Sequence, residues 1–314
     1  MLRPLLLAAS IATVALAPAH AAAHAGPAAD VAALTRKLTE RPGDVDLLVQ
    51  RATAYRRQGK LAEALADLDA AARRAPDHRE LLLERGLVRA ARNEPALAEA
   101  DLTRFLASGP PVAIALSTRA RIREAEKRWA EARADLHAAL QLGPDVEIYL
   151  ARGRADEAMG QLDAAAAGYE EGLKALGGAV VLRLALVRVE AARGRYDRAI
   201  ALVEEALAAA PVKVEWLLRR AELHAGAGRP EPALRDREAA LREADERLAR
   251  RPSDLARLGR ARALLALGRA REAAADLERV VKSSPKLEEA HALLAEARTI
   301  AAAMNLTPRS GPTR

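Results

Sequence analysis

Four prolines recur at an interval of 34 residues, at Pro42, Pro76, Pro110 and Pro144. Because proline lacks a backbone donor and ends helices, this even spacing marks the ends of modules of equal length. Between successive prolines, apolar residues return every three or four positions, which is the period of one buried helical stripe. A turn, at Gly59 in the first interval, divides each interval into two helices. The pattern predicts an all-α chain of helical hairpins.

Composition supports this prediction and excludes several classes of protein. The chain of 314 residues is 51% hydrophobic but only 2% aromatic, and helix-forming Ala and Leu supply most of the apolar mass. Such a chain lacks the bulky side chains that usually fill the cores of two globular domains. The absence of cysteine excludes a disulfide scaffold, a thiolate metal site and a Cys nucleophile.

Seven repeats fit the chain, and each carries an alanine where two helices of a hairpin approach closely. We place the repeats at 45–78, 79–112, 113–145, 146–179, 180–213, 214–253 and 254–287, and the alanines are Ala64, Ala98, Ala132, Ala165, Ala199, Ala233 and Ala273. These residues, with the turn residues and the 34-residue period, resemble the tetratricopeptide repeat. The resemblance implies an α-solenoid, a right-handed superhelix of about seven helix-turn-helix units, that binds other proteins.

The regions outside the regular repeats are also assigned. Residues 26–44 are expected to form a leading helix, 288–304 a capping helix that covers the last apolar face, and 305–314 a disordered tail. The sixth repeat is seven residues longer than the others, which is about two helical turns. We therefore expect a lengthened second helix within Ala239 to Arg251.

The first 25 residues have the pattern of a secretory signal peptide. Arg3 precedes an apolar stretch from Leu5 to Ala17, and small residues follow that allow cleavage after Ala21 or after Ala25. The stretch is too short to span a bilayer, which takes about 20 residues, so we expect no membrane span. The mature chain is expected to be periplasmic or secreted.

Arginine and aspartate vary together along the repeats. The seventh position is Arg in six repeats, and the twenty-third is Asp in five; the fifth repeat has Leu186 and Leu202 instead. Paired loss indicates ion pairs between the helices of a repeat, because removing one partner would strand a charge at a cost of about 3–5 kcal/mol. The expected pairs are Arg51 with Asp67, Arg85 with Asp101, Arg119 with Asp135, Arg220 with Asp236 and Arg260 with Asp276.

Two features of this pattern stay open at the level of sequence. A register between neighbouring repeats, such as Asp67 with Arg85, fits equally well, and the fourth repeat, with Arg152 and Gly168, breaks the rule within repeats. The alternative role for the arginines is a ladder for a polyanion. Acidic partners would neutralise the field that such a ligand needs.

The resemblance also implies a ligand-binding surface, because in this family the first helices of the repeats line a concave groove. The fifth and ninth positions face that groove and supply aliphatic side chains and arginines, which here are Leu83, Leu150, Leu184, Leu218, Arg121, Arg154, Arg188 and Arg262. These residues predict a protein or peptide partner that is acidic or presents a carboxylate. The alternative is that Glu124, Glu147 and Glu157 pair with the arginines across neighbouring helices.

No pattern for catalysis stands out. His78, His137, His224 and His291 stand alone in different repeats, and no nucleophile or phosphate-binding motif occurs. We therefore predict a non-catalytic interaction scaffold with no metal, no cofactor and no nucleic acid partner. The alternatives are a periplasmic assembly factor or chaperone for envelope or cytochrome clients, and a polyanion or polysaccharide binder.

Overall fold

The computed structural model describes residues 27–306, which form helices joined by short turns and contain no strand. This confirms the prediction of an all-α solenoid. The helices are α1 Pro27–Glu40, α2 Val45–Arg57, α3 Leu61–Ala72, α4 Arg79–Ala91, α5 Pro95–Ala107, α6 Ala113–Ala125, α7 Trp129–Leu140, α8 Val146–Ala158, α9 Leu162–Ala175, α10 Val180–Ala192, α11 Tyr196–Ala209, α12 Val214–Gly226, α13 Pro230–Arg250, α14 Asp254–Ala266, α15 Ala270–Ser283 and α16 Glu288–Leu306.

Each repeat is a pair of helices closed by a turn with one residue in the left-handed conformation. In five repeats that residue is glycine, which adopts a positive φ without a steric penalty, as at Gly160 (φ 72°). The second and third repeats use Asn93 (φ 62°) and Lys127 (φ 59°) instead. The alanine at the close approach of each pair is fully or almost fully buried, at 0–1% exposure in all seven repeats. A larger side chain there would force the helices apart.

The chain divides into two compact units, of which one ends at Gly109 and the other begins at Pro110. In the first unit, α1 packs on α2, the hairpins α2–α3 and α4–α5 stack, and α2 contacts α4. In the second unit, the five hairpins from α6 to α15 follow one another and α16 packs on α15 and α14. Each interior is built from Leu, Ala and Val, with Phe105 in the first unit and Tyr169 in the second as the largest buried side chains.

The irregular regions show how the sequence accommodates extra length. Helix α13 has 21 residues, and its C-terminal part, from residue 239 to 250, takes up the additional turns of the sixth repeat. Helix α16 runs to Leu306, two residues past the expected end of the capping helix at 304, because the Ala-rich segment before it favours helix propagation. The expected signal peptide and the rest of the tail, 307–314, lie outside the described residues. In the described part of the chain, no helix is long and apolar enough to cross a bilayer.

Candidate functional site

The spacing of Arg and Asp that recurs along the repeats corresponds to ion pairs inside single repeats. In the second repeat, the Nε and Nη2 atoms of Arg85 donate to the two carboxylate oxygens of Asp101 at 2.9 and 2.7 Å. The same two-pronged pairing joins Arg51 to Asp67, Arg119 to Asp135 and Arg220 to Asp236, and a single bond joins Arg260 to Asp276. Of the two registers open from the sequence, the structure shows the one within repeats. We refer to these pairs as the Arg–Asp clamps.

Two of the clamp arginines also approach acids of the preceding repeat, which lie two positions beyond its twenty-third position. Arg85 Nη1 lies 3.9 Å from Asp69 in the preceding repeat, and Arg220 Nη1 donates to Glu204 at 3.2 Å. In two repeats, a second arginine one turn later joins the clamp. Arg89 donates to Asp101 at 2.6 Å, and Arg123 donates to Asp135 at 2.9 Å. The hydrogen bond from Arg85 to Asp101 raises the pKa of the Arg85 guanidinium, so the clamp stays charged.

The fourth repeat pairs its arginine differently. Arg152 is 5% exposed and donates from Nη2 to Glu171 at 2.6 Å, three residues beyond Gly168 on the same helix. Gly168 leaves room for the Arg152 guanidinium to reach Glu171, because a Cβ at residue 168 would lie 3.2 Å from Arg152 Nη2. The guanidinium carbon of Arg152 also lies 5.3 Å from the ring centre of Tyr149, and the Tyr149 hydroxyl donates to Glu171 at 3.2 Å. The carboxylate of the clamp has therefore moved one turn along α9.

Tyrosines fill the space between the helices of the fourth repeat. The ring of Tyr169 is fully buried, and a Cβ added to Gly153 would lie 2.2 Å from its Cε1 atom. The Tyr169 hydroxyl donates to Glu157 at 2.6 Å. Burial, together with the carboxylate of Glu157, raises the pKa of Tyr169, so the hydroxyl remains a donor. The fifth repeat replaces the clamp with apolar packing, and Leu186 and Leu202 are both buried.

Two of the predicted ligand-binding arginines meet in one pocket. Arg121 on α6 and Arg154 on α8 are both exposed and face a cavity of about 590 Å³ between these helices. Its apolar lining comes from Ile114 and Ile148, with Leu136 of α7 at the base. Within the described part of the chain, neither arginine has a hydrogen bond or an ion pair. We call this cavity the cationic pocket; its lining residues are Ala113, Ile114, Ser117, Thr118, Arg121, Glu124, Leu136, Asp145, Glu147, Ile148, Ala151 and Arg154.

Of the carboxylates in the cationic pocket, Asp145 caps a helix, Glu147 lies away from Arg154, and Glu124 lies beside both arginines. Asp145 accepts hydrogen bonds from the backbone N–H groups of Glu147 and Ile148 at 2.8 and 3.1 Å and caps α8. Glu147 is seven residues before Arg154, which places it about 10 Å away along the helix axis. Glu124 is the acid next to the arginines. Burial raises its pKa, and the charges of Arg154 and Arg121 oppose that shift.

The other two predicted arginines are engaged within the second compact unit. Arg188 on α10 makes a two-pronged ion pair with Glu157 on α8, with a Nη2–Oε1 distance of 2.8 Å. Arg262 on α14 bonds to Glu215 on α12 and to Glu289 on α16. The pairs with Glu157 and Glu215 join first helices of successive repeats, and the pair with Glu289 joins the last repeat to α16. The pairing of Arg188 is the alternative that the sequence left open for Glu157.

Within the second compact unit, the predicted leucines do not share one cavity. Leu184 lies in a second cavity of about 520 Å³, and Leu218 in a third of about 370 Å³ together with Arg262. Leu150 is half-buried and packs against the core that surrounds Tyr169. Leu83 belongs to the first compact unit, on α4, where it is half-buried. None of the four lines the cationic pocket.

Comparison with known proteins identifies the fold family. A family model described as tetratricopeptide repeat matches residues 49–113, 83–147, 184–234 and 258–303, more than half of the chain. The chain belongs to the tetratricopeptide repeat family. The repeat matches leave out 148–183, which is most of the fourth repeat, and 235–257, which contains most of the long helix α13. Both gaps coincide with the structural departures described above.

Solved structures agree on the fold. A tetratricopeptide repeat protein from Parabacteroides merdae is 20% identical, with a TM-score of 0.50 over 81% of this chain and 98% of that one. The C-terminal part of a repeat-containing protein from Cytophaga hutchinsonii is 15% identical, with a TM-score of 0.55 over 78% of this chain and 99% of that one. A search of curated proteins finds no match. Tetratricopeptide repeat arrays are typical protein-interaction scaffolds.

Sequence reasoning missed several residues that shape this surface. Glu215 and Glu289, the partners of Arg262, lie 47 and 27 residues from it, too far apart along the chain for a local pattern to reveal. Tyr196, which lines the second cavity, was also missed. One signal was present, since an aromatic residue opens the second helix of a repeat only here and at Trp129.

Proposed function

We propose that this protein is a non-catalytic interaction scaffold of the cell envelope that binds an acidic peptide segment at the cationic pocket. Arg121 and Arg154 carry the proposal, because they face one cavity as a pair and have no ion-pair partner in the described part of the chain. A guanidinium pair without partners gains charge-assisted hydrogen bonds when it receives a carboxylate. The Arg–Asp clamps, in contrast, already have their carboxylates.

The apolar lining of the pocket supports a peptide rather than a free anion. Ile114 is 50% exposed at the rim, and Ile148 and Leu136 lie beside it. An aliphatic surface next to two cations suits a side chain or chain terminus that ends in a carboxylate and is flanked by carbon. The cavity volume of about 590 Å³ lies in the range of ligand sites in proteins.

The proposed location in the envelope rests on the first 25 residues. Their short positive start, apolar stretch and small residues are the features of an export signal. Fusion of residues 1–30 to a phosphatase that is active only after export tests this part. Activity that is lost when Leu6 and Leu7 are replaced by Arg supports export, and a fusion that is inactive, or whose activity survives these replacements, contradicts it.

An array of immobilised random dodecapeptides tests the binding. The purified protein is expected to select peptides rich in Asp and Glu, and Arg121→Gln with Arg154→Gln is expected to lower that signal at least tenfold. The matched control is Arg235→Gln with Arg242→Gln, which removes the same charge from exposed positions on α13. Absence of any selected peptide, or equal losses in the two variants, contradicts the proposal.

The same array separates the alternatives. An assembly factor for unfolded clients predicts selection of many unrelated apolar peptides, with no effect of either arginine pair. A polyanion or polysaccharide binder predicts a steep loss of binding as salt rises, because each neutralised charge releases a counterion, and equal sensitivity to both arginine pairs. Binding of acidic peptides at the cationic pocket predicts a shallower salt dependence, since apolar contact contributes part of the affinity.

A further inference from the structure

The first helices of the second compact unit meet at two kinds of junction. Ion pairs bridge α8 to α10 through Glu157 and Arg188, and α12 to α14 through Glu215 and Arg262. Cavities lie at the other two junctions, the cationic pocket of about 590 Å³ between α6 and α8 and the second cavity of about 520 Å³ between α10 and α12. We call the junctions at these two cavities the open junctions; the bridged junction between α12 and α14 also borders a smaller cavity, of about 370 Å³.

The cavity between α10 and α12 differs in character from the cationic pocket. Its lining is mainly apolar, with Leu184 38% exposed at the rim and Tyr196 of α11 at the base. Its charged groups are already paired, Arg188 with Glu157 and Arg219 with Glu222 at 2.8 Å. A charged ligand group would gain little there, and an apolar one would bury carbon surface. We call it the apolar pocket; its lining residues are Leu184, Ala185, Val187, Ala191, Tyr196, Leu223 and Gly226, together with the paired Arg188, Arg219 and Glu222.

The spacing between the pockets sets a length for anything that fills both. Packed helices lie about 8–10 Å apart, and the centres of the two open junctions are two helix spacings apart, or about 20 Å. An extended chain advances about 3.3 Å per residue, so about six residues cover that distance. The bridged pair Glu157 and Arg188 lies between the pockets and presents no unpaired charge to a chain that crosses it.

We infer that the partner segment is an extended peptide with an acidic residue in the cationic pocket and an aliphatic or aromatic residue, about six positions away, in the apolar pocket. The inference rests on the proposed function and adds the second anchor and the spacing. Two anchors on one segment act together, because after the first binds the second is held at high local concentration. Each pocket alone therefore binds weakly, and both together give a specific contact.

The test starts from the strongest acidic dodecapeptide of the array, in which every position is replaced in turn by Ser. Two positions are expected to lower affinity at least fivefold, an acidic one and an apolar one separated by five to seven residues. Leu184→Gln, which makes the rim of the apolar pocket polar, is expected to abolish the effect of the apolar position only. Arg121→Gln with Arg154→Gln is expected to abolish the effect of the acidic position only.

Leu234→Gln is the matched control, since Leu234 is an exposed leucine on α13, 48% exposed, outside both pockets. Circular dichroism and melting curves establish that each variant is folded. If no apolar position matters, if its distance from the acid varies among selected peptides, or if Leu184→Gln and Leu234→Gln behave alike, the two-anchor inference is wrong while the proposed function stands. If no acidic peptide is selected at all, the proposed function itself fails.

Discussion

The third and fourth repeats hold their helices together in different ways. In the third, Arg119 and Arg123 of α6 both bond to Asp135 of α7, whose side chain is 6% exposed. In the fourth, the corresponding carboxylate is replaced by Gly168, and Arg152 reaches Glu171, which is 51% exposed. Buried tyrosines occupy the space that remains. The contrast teaches that attraction across a helix pair can come from a buried charge cluster or from aromatic packing on glycine.

The two arrangements differ in what they demand of their neighbours. Removing the carboxylate or a guanidinium from a buried cluster of one acid and two arginines is costly, because the remaining buried charges then lack a counter-charge and solvent. An aromatic ring packed on a glycine leaves no space for a Cβ at that glycine, because the ring and the backbone are already in contact. The family match passes over residues 148–183, which contain the second arrangement. Each demand can be tested separately.

The largest effect is expected from Asp135→Asn in the third repeat. The substitution leaves Arg119 and Arg123 facing a neutral amide at a site with little water, and it should lower the free energy of unfolding by about 3 kcal/mol. Glu171→Gln is the counterpart in the fourth repeat, where one buried arginine loses its acid but the glutamine oxygen can still accept from Arg152 and the Tyr149 ring still lies beside it, so the cost should be smaller, about 1–2 kcal/mol. Urea denaturation followed by circular dichroism measures both. Equal losses in the two variants would erase the distinction between the repeats.

The second prediction concerns Gly153→Ala. The new methyl group would lie 2.2 Å from Cε1 of Tyr169, so the ring must move, at a cost of about 2 kcal/mol. In the third repeat the same positions hold Ala120 and Leu136, both buried without conflict. The double variant Gly153→Ala with Tyr169→Leu reproduces that pair and should recover most of the loss. A double variant no more stable than Gly153→Ala alone would show that ring size is not the cause.

The sequence was sufficient for the helical hairpins, because a 34-residue period with apolar stripes leaves no other way to bury the Ala and Leu side chains. It was not sufficient for the register of the clamps, since an arginine side chain is long enough to reach acids on both neighbouring helices. Arg85 donates to Asp101 at 2.7 Å and also lies 3.9 Å from Asp69 of the preceding repeat, two positions beyond Asp67, which the alternative register had paired with Arg85. The partner of Arg152 was within reach of pattern analysis, because Glu171 follows Gly168 by three residues and so shares its helix face.

The ligand surface was less accessible to sequence reasoning. Arg121, Arg154, Arg188 and Arg262 occupy the same position in their repeats and look equivalent in the sequence. The structure distinguishes these arginines by their ion pairs with acids outside their own repeats. Arg188 pairs with Glu157, and Arg262 pairs with Glu215 and Glu289. Which charge finds a partner depends on the stacking of successive repeats, and that stacking is set by the whole interface rather than by any one position.

A smaller effect is expected at the turn of the third repeat. Lys127 has a φ of 59°, a conformation that costs an L-residue about 1 kcal/mol, whereas the fourth repeat has Gly160 at the same place with a φ of 72°. Lys127→Gly should therefore raise the free energy of unfolding by up to about 1 kcal/mol, and Gly160→Ala should lower it by a similar amount. Opposite signs in urea denaturation are the expected result. A loss in both variants would mean that the Lys127 side chain contributes more than its backbone costs.

The smallest effect lies at the junction of the two repeats, where Glu124 faces Arg154 and Arg121 in the cationic pocket. Burial raises the pKa of Glu124 above its unfolded value, so the folded chain holds this proton to higher pH. Between the two pKa values the folded state binds more protons, and stability therefore falls as pH rises through that window. Glutamine cannot ionise, so Glu124→Gln should be slightly more stable than the parent at pH 7.5, and the difference should vanish below about pH 4.

Urea midpoints of the parent and Glu124→Gln at both pH values measure this difference, and Glu147→Gln, which removes an exposed carboxylate from the far end of the same pocket, is the control. A lower midpoint for Glu124→Gln at pH 7.5 would mean that attraction to Arg121 and Arg154 outweighs the cost of burial. Arg121 and Arg154 would then already be paired with Glu124, and the carboxylate of a ligand would have to displace it. A higher midpoint instead leaves the pair available, as binding of an acidic segment at the cationic pocket requires.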